Sequence, residues 1–163
     1  EIADRDWSSD VCSSDLMDLL GRKVLMEEGR GLWLLAERIN GSIKRAIDYG
    51  TTHDNAQLIA HADDLEQALQ RIGRATKMAW STGIPGEALA NAVPYMQAFG
   101  HTVIAWIWLD VAASLDGDTA PAAQGRRAAC RYFFRYELPK IGAWLNVVKS
   151  RDPTCADLPE EAF

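Results

Sequence analysis

Cysteine is scarce in this sequence, with three in 163 residues, and Cys12 lies in an N-terminal stretch set aside below. The remaining pair, Cys130 and Cys155, has no C-x-x-C spacing, so neither a zinc site nor a disulfide framework can be written on it. A reducing, cytoplasmic compartment is the expectation. Histidine is equally sparse: none of His53, His61 and His101 has a glutamate three residues upstream, which removes the Glu-x-x-His pairing that di-iron bundles use, and no metal site is expected. Long apolar runs are missing too. The most apolar one, VIAWIWL at Val103–Leu109, stops at Asp110, well short of the ~18 residues that a membrane span needs, so no membrane partner is expected. Neither strand-like alternation nor an internal repeat is present.

Charge of one sign is lacking once the N-terminal stretch is removed. The chain carries 23 acidic and 17 basic residues, a net charge of −6. Residues 1–16 hold five of those acids and one arginine, which leaves 18 against 16 and a net charge of −2. So balanced a chain offers no electrostatic case for nucleic acid or for an anionic membrane. Within that stretch, Asp6–Leu16 reads DWSSDVCSSDL, with no apolar period to seat it in a core. The string resembles the translation of one frame of a widely used sequencing-library adapter. Residues 1–16 are therefore expected to be artefactual or disordered, residues 17–163 to form one domain, and the chain to be a fragment with a missing N-terminal neighbour. A domain of that size buries roughly 70% of its unfolded surface.

What is present is helical spacing. Leu32, Leu35, Ile39, Ile43 and Ala46 recur at three or four residues, with Gly50 as the expected stop and Thr52 or Asp54 as the expected cap of the next helix. Leu58, Ala62, Leu65, Leu69, Ile72, Thr76 and Ala79 continue the pattern until STGIPGE interrupts it. A third helix should begin at Asn91–Pro94, since proline suits a first turn, and end near Ser114. It is apolar on nearly every side. Phe99, Val103 and Trp106 form one stripe and Ile104, Trp108, Val111 and Leu115 another, so two covered faces are expected, the second being a candidate interface. The fourth should run from about Gln124 to Lys149 with a kink at Pro139. Helices of this length with short connections predict an all-α fold, an antiparallel up-down four-helix bundle.

No catalytic constellation assembles from these residues. His101 lies among aromatics without an activating partner at helical spacing, and is read as structural. EEGRGLW at Glu27–Trp33 has too few glycines for a phosphate cradle and marks a bend between a short helix ending near Met26 and a longer one starting near Gly31. GRRAACRYFFRYE mixes arginine with aromatics, a pairing that can bind single strands. Arg127, Arg131 and Arg135 nevertheless repeat every four residues, as a solvated stripe behind an apolar seam does.

MDLLGRKVL at Met17–Leu25 resembles a stretch of the larger acyl-CoA dehydrogenases that follows their motif E-G-T-x-x-I-Q. NAVPYMQAFG at Asn91–Gly100, RYFFRYELPKIGAWLNVV at Arg131–Val148 and the terminal LPEEAF are similar to the extra C-terminal helical domain of the long members, a group that includes enzymes similar to 3-methylmercaptopropionyl-CoA dehydrogenase. The resemblance implies a parent enzyme that forms trans-2-enoyl-CoA with FAD and passes electrons to an electron-transfer partner. The motif's glutamate is the family's base, and no position here inherits it. The fragment itself is then expected to be inactive and to bind no cofactor. It should buttress the upstream catalytic domain and help assemble a homo-oligomer. A related group binds DNA through its C-terminal helices, against which the near-neutral charge speaks. The alternative is a stand-alone, non-catalytic helical interaction module that begins at Met17. Sequencing the source DNA upstream of the Met17 codon should show the frame running through E-G-T-x-x-I-Q into a long upstream domain; a ribosome-binding site and a start at Met17 would favour the module.

Overall fold

The computed structural model describes residues 17–115, 117–154, 156, 157, 159 and 161. The segment 1–16 and Cys155 lie outside the described residues. These residues fold into helices and turns without a strand, in agreement with the all-α reading. After a π-type turn at Leu19–Lys23 come α1 (Met26–Thr52), α2 (Ala56–Ala79), the short α3 (Pro85–Leu89) and α4 (Ala92–Ser114). A last helical run comprises α5 (Pro121–Tyr132), a π turn (Phe133–Glu137), a 3₁₀ turn (Leu138–Lys140) and α6 (Ile141–Ser150).

The expected bend near Glu27–Trp33 is present. Glu27, Glu28 and Gly29 have φ of 48°, 57° and 84°, so regular helix resumes just beyond them. Left-handed backbone is costly for the two glutamates. The preceding turn is held elsewhere: Leu20 is fully buried, and the Trp80 indole N–H donates to its carbonyl at 3.1 Å.

Helix α1 overruns the expected stop at Gly50 by two residues. Its C-terminus is closed instead by Asp54 in the left-handed conformation, φ 54°, with the Asn55 N–H returning to the Gly50 carbonyl at 2.8 Å in the Schellman pattern. The cap of α2 is not Thr52 or Asp54 but Asn55, whose Oδ1 accepts from the Leu58 N–H at 3.0 Å. Two roles fall on adjacent residues there, and composition alone does not distribute them.

Most of the α2 periodicity becomes core: Leu58, Ala62, Leu65, Ile72, Thr76 and Ala79 are buried, together with Ala68 and Ala75. On α4 the buried face is neither of the two expected stripes. It is the row of small residues between them, Ala92, Ala98, Thr102, Ala105 and Ala112, with Tyr95 and Leu109. Small side chains let helix axes approach closely, and α4 packs against α1, α2, α5 and α6. Helix α1 also packs on α2, and α2 on α6. Tyr95 is the largest fully buried side chain. The Thr76 hydroxyl donates to the Ile72 carbonyl at 2.9 Å, so its single proton is used and the Tyr95 hydroxyl is the donor in their 2.6 Å contact. Burial pushes the Tyr95 phenol up to about 12.

The last run departs from one kinked helix. It starts at Pro121, and the π turn precedes the 3₁₀ turn that holds Pro139. The extra residue per turn places the consecutive Phe133 and Phe134 both inside, at 9% and 4% exposure, which a regular α-helix face cannot do so readily.

Two glycines in helices should respond oppositely to alanine. A Cβ on Gly50 would stand 2.7 Å from Ile59 Cγ1 and 3.1 Å from the Asn55 carbonyl oxygen, whereas one on Gly73 meets nothing within 4 Å. Gly73→Ala should raise stability by about 0.5–1 kcal/mol and Gly50→Ala should lower it by about 1–3 kcal/mol, both read from urea unfolding followed by circular dichroism.

Candidate functional site

The outward side of α4 is the first feature with functional content. Asp110 is the only formally charged residue of Ala92–Ser114, yet Val93, Ile104 and Ile107 are 51%, 41% and 53% exposed. Val103 and Val111 are half-buried beside them. The strip from Val93 to Val111 is about 27 Å long at 1.5 Å per residue. Of the four residues expected to form an interface, Ile104 lies fully on this strip and Val111 at its margin. Trp108 is half-buried and packs on the core, and Leu115 is half-buried at the C-terminal end, where its carbonyl accepts from Arg127 Nη1 at 2.6 Å. Ile107, which the stripe reading passed over, is the most exposed of the group.

Asp110 does not break the strip at random. The Ser42 hydroxyl donates to its Oδ2 at 3.1 Å, and the same oxygen of Ser42 accepts from Trp106 Nε1 at 2.7 Å and from Arg45 Nη2 at 2.9 Å. One donor and two acceptor positions are thereby filled on a hydroxyl that is 2% exposed.

The π turn meets a histidine on each of two helices. Phe133 lies 5.8 Å from the His101 ring centroid, and Trp144 meets the same imidazole edge-on at 4.7 Å. His101 Nδ1 faces the Gln97 carbonyl at 3.0 Å; a carbonyl only accepts, so Nδ1 carries the hydrogen. Nε2 stands 3.7 Å from Glu137, whose carboxyl is held below its usual range chiefly by the hydrogen bond from Lys140. His101 is thus placed as a structural residue is. His53 closes α1, with Nδ1 donating to the Tyr49 carbonyl at 3.0 Å.

His61 differs from both. Phe134 stacks on it at 4.3 Å and 19°, and neither ring nitrogen, though buried, has a hydrogen-bond partner among the described residues. Burial first, and then the Arg131 charge, depress its basicity. It forms one wall of an open groove of about 700 Å³ between the first turns of α2 and the α5–π-turn run, lined also by Arg131, Tyr132, Arg135 and Tyr136. The arginine stripe expected on this run is only partly a stripe. Arg131 and Arg135 are exposed, but Arg127 bonds the end of α4 and, through Nη2, the Asp118 carbonyl at 2.6 Å. The i, i+4 repeat of arginine and tyrosine was visible in sequence; the facing wall from α2 was not.

Cys130 is buried and its thiol is pushed up to about 11 by burial, which keeps it protonated and unreactive. Among the described residues no group of three or more His, Cys, Asp or Glu side chains is placed to hold a metal ion, and no helix is long and apolar enough to cross a membrane.

Residues 35–159 match the family model described as acetyl-CoA dehydrogenase C-terminal like. No curated protein and no solved structure matches the chain.

His61 is expected to govern part of the acid response. Its folded-state basicity lies below the ordinary 6.5, so the unfolded chain takes up the proton first. Its contribution to stability is complete above that value and declines as the pH falls below it, levelling off beneath the folded-state value. His61→Phe, which keeps the stack on Phe134, should flatten this acid limb in thermal unfolding scans between pH 7.5 and 5.

Proposed function

Because the chain belongs to the acetyl-CoA dehydrogenase C-terminal-like family, we propose that it is the C-terminal helical domain of an FAD-dependent acyl-CoA dehydrogenase and acts there in packing and oligomerisation. The parent reaction on this reading is α,β-dehydrogenation of an acyl-CoA thioester, with electrons passed onward to an electron-transfer partner in the cytoplasm. FAD would supply the hydride acceptor. The residues of this chain do not fit that group by themselves. The grooves lined by His61, by Arg22 and by Trp33 are open, whereas a flavin ring takes a covered slot, and each long helix starts without a glycine-rich cradle for its diphosphate. No catalytic or cofactor role is assigned to any residue here.

The observation that carries the reading is the outward face of α4. A buried helix is apolar all round, and an interface core is depleted of charge. Helix α4 has both properties on a side that no other described element covers. Ile104 and Ile107 form the centre of the proposed contact, with Val111 and Leu115 toward one end and Trp108 supporting the helix from within. The partner surface is the catalytic body or the same domain of a neighbouring subunit. Short connections between α1, α2 and α4 support an antiparallel up-down bundle of these helices with the α5–α6 run, which leaves one face of α4 free for such docking.

In a full-length enzyme carrying this domain, Ile104→Asp combined with Ile107→Asp should weaken assembly tenfold or more, seen in sedimentation velocity as a shift to smaller species. Unchanged assembly would remove the interface role. Flavin retention with acyl-CoA oxidation by the isolated chain would overturn the non-catalytic reading.

A further inference from the structure

The groove between α2 and the π turn is independent of the α4 face. Its α2 wall presents Ala56 and Ala60, one helical turn apart and both exposed, flanked by Gln57 and His61 and ended by Asp64, so the two alanines leave a shallow gap in the side-chain cover while one carboxylate stands against two arginines. Its other wall presents Arg131 and Arg135, also one turn apart, with Tyr132 and Tyr136 between and beyond them. The two tyrosine rings lie 5.0 Å apart and each residue is 56% exposed. Neither arginine has an ion-pair or hydrogen-bond partner among the described residues.

From this arrangement we infer that the groove is a docking site for an acidic amphipathic helix of a partner protein. Arginine and tyrosine are the side chains that carry binding energy at protein interfaces, and guanidinium groups one turn apart match carboxylates at i and i+4 of a facing helix. The alanines admit the apolar residues of that helix, in the helix-in-groove mode. From Ala56 to Asp64 the wall is about 12 Å long, enough for two turns of a guest. An open groove lined by exposed arginines encloses too little of a small ligand to hold it well, since small-molecule sites bury most of the ligand surface. The inference goes beyond the dehydrogenase reading and does not rest on it.

A suitable probe is a fluorescein-labelled helical peptide of about 14 residues, with leucines at alternating spacings of three and four and glutamates flanking them. Its lysine-for-glutamate counterpart serves as control. Fluorescence anisotropy with the whole chain should show saturable binding of the acidic peptide and none of the basic one. Arg131→Glu combined with Arg135→Glu should weaken binding tenfold or more, and so should Ala60→Trp, which fills the groove without altering charge. All these positions are exposed, so circular dichroism should show the fold retained. Absence of saturable binding, equal binding of the two peptides, or equal binding by the variants would overturn the inference. So would saturable binding of ADP that is lost in the arginine variant while the peptide does not bind, because the groove would then be a phosphate site.

Discussion

The close approach of α2 and α4 is the contact on which the remaining packing depends. Alanines are buried on both helices, and the contact is closed by the Tyr95–Thr76 hydrogen bond, in which a fully buried phenol finds the one acceptor it needs. A bulkier seam would move the axes apart and would also break the contacts that α1, α5 and α6 make with the same helix. Close packing makes such a change costly even at the level of a methyl group.

Because small residues occupy the inward side of α4, its large apolar residues are turned sideways and outward. Trp106 and Trp108 reach back to the core from the flanks, and the indole of Trp106 is fixed by Ser42. Ile104 and Ile107 cannot reach it. The same economy of space that builds the core thus creates the exposed strip on which the oligomerisation reading rests, and the network of Ser42, Arg45 and Asp110 bounds that strip with a charge that is already hydrogen-bonded.

The π turn has a comparable double consequence. By burying Phe133 and Phe134 together it ties the last helical run to His101 on α4 and to His61 on α2. Turning both phenylalanines inward leaves Arg131, Tyr132, Arg135 and Tyr136 on the outside, facing the first turns of α2. A local departure from helical geometry therefore joins two buried contacts to one solvent-facing groove.

The sequence by itself determined the all-α class, the extents of α2 and α4, the bend in the first turns of α1, the irregularity around Pro139 and the absence of Glu-x-x-His pairs, because period, proline and glycine act over a few residues. Its resemblance to acyl-CoA dehydrogenases agreed with the family match over residues 35–159. Cap assignment at Asp54 and Asn55, the π turn, and the buried role of Gly50 were not legible, since each depends on what a second helix places nearby. The same holds for the sites. Apolar excess on α4 was readable, but whether Ile104, Ile107 or Trp108 faces outward is decided by the rotation of the helix about its axis, and that rotation is set by which small residues its neighbours select. The groove at His61 needed two segments some seventy residues apart to meet, and only tertiary packing brings them together.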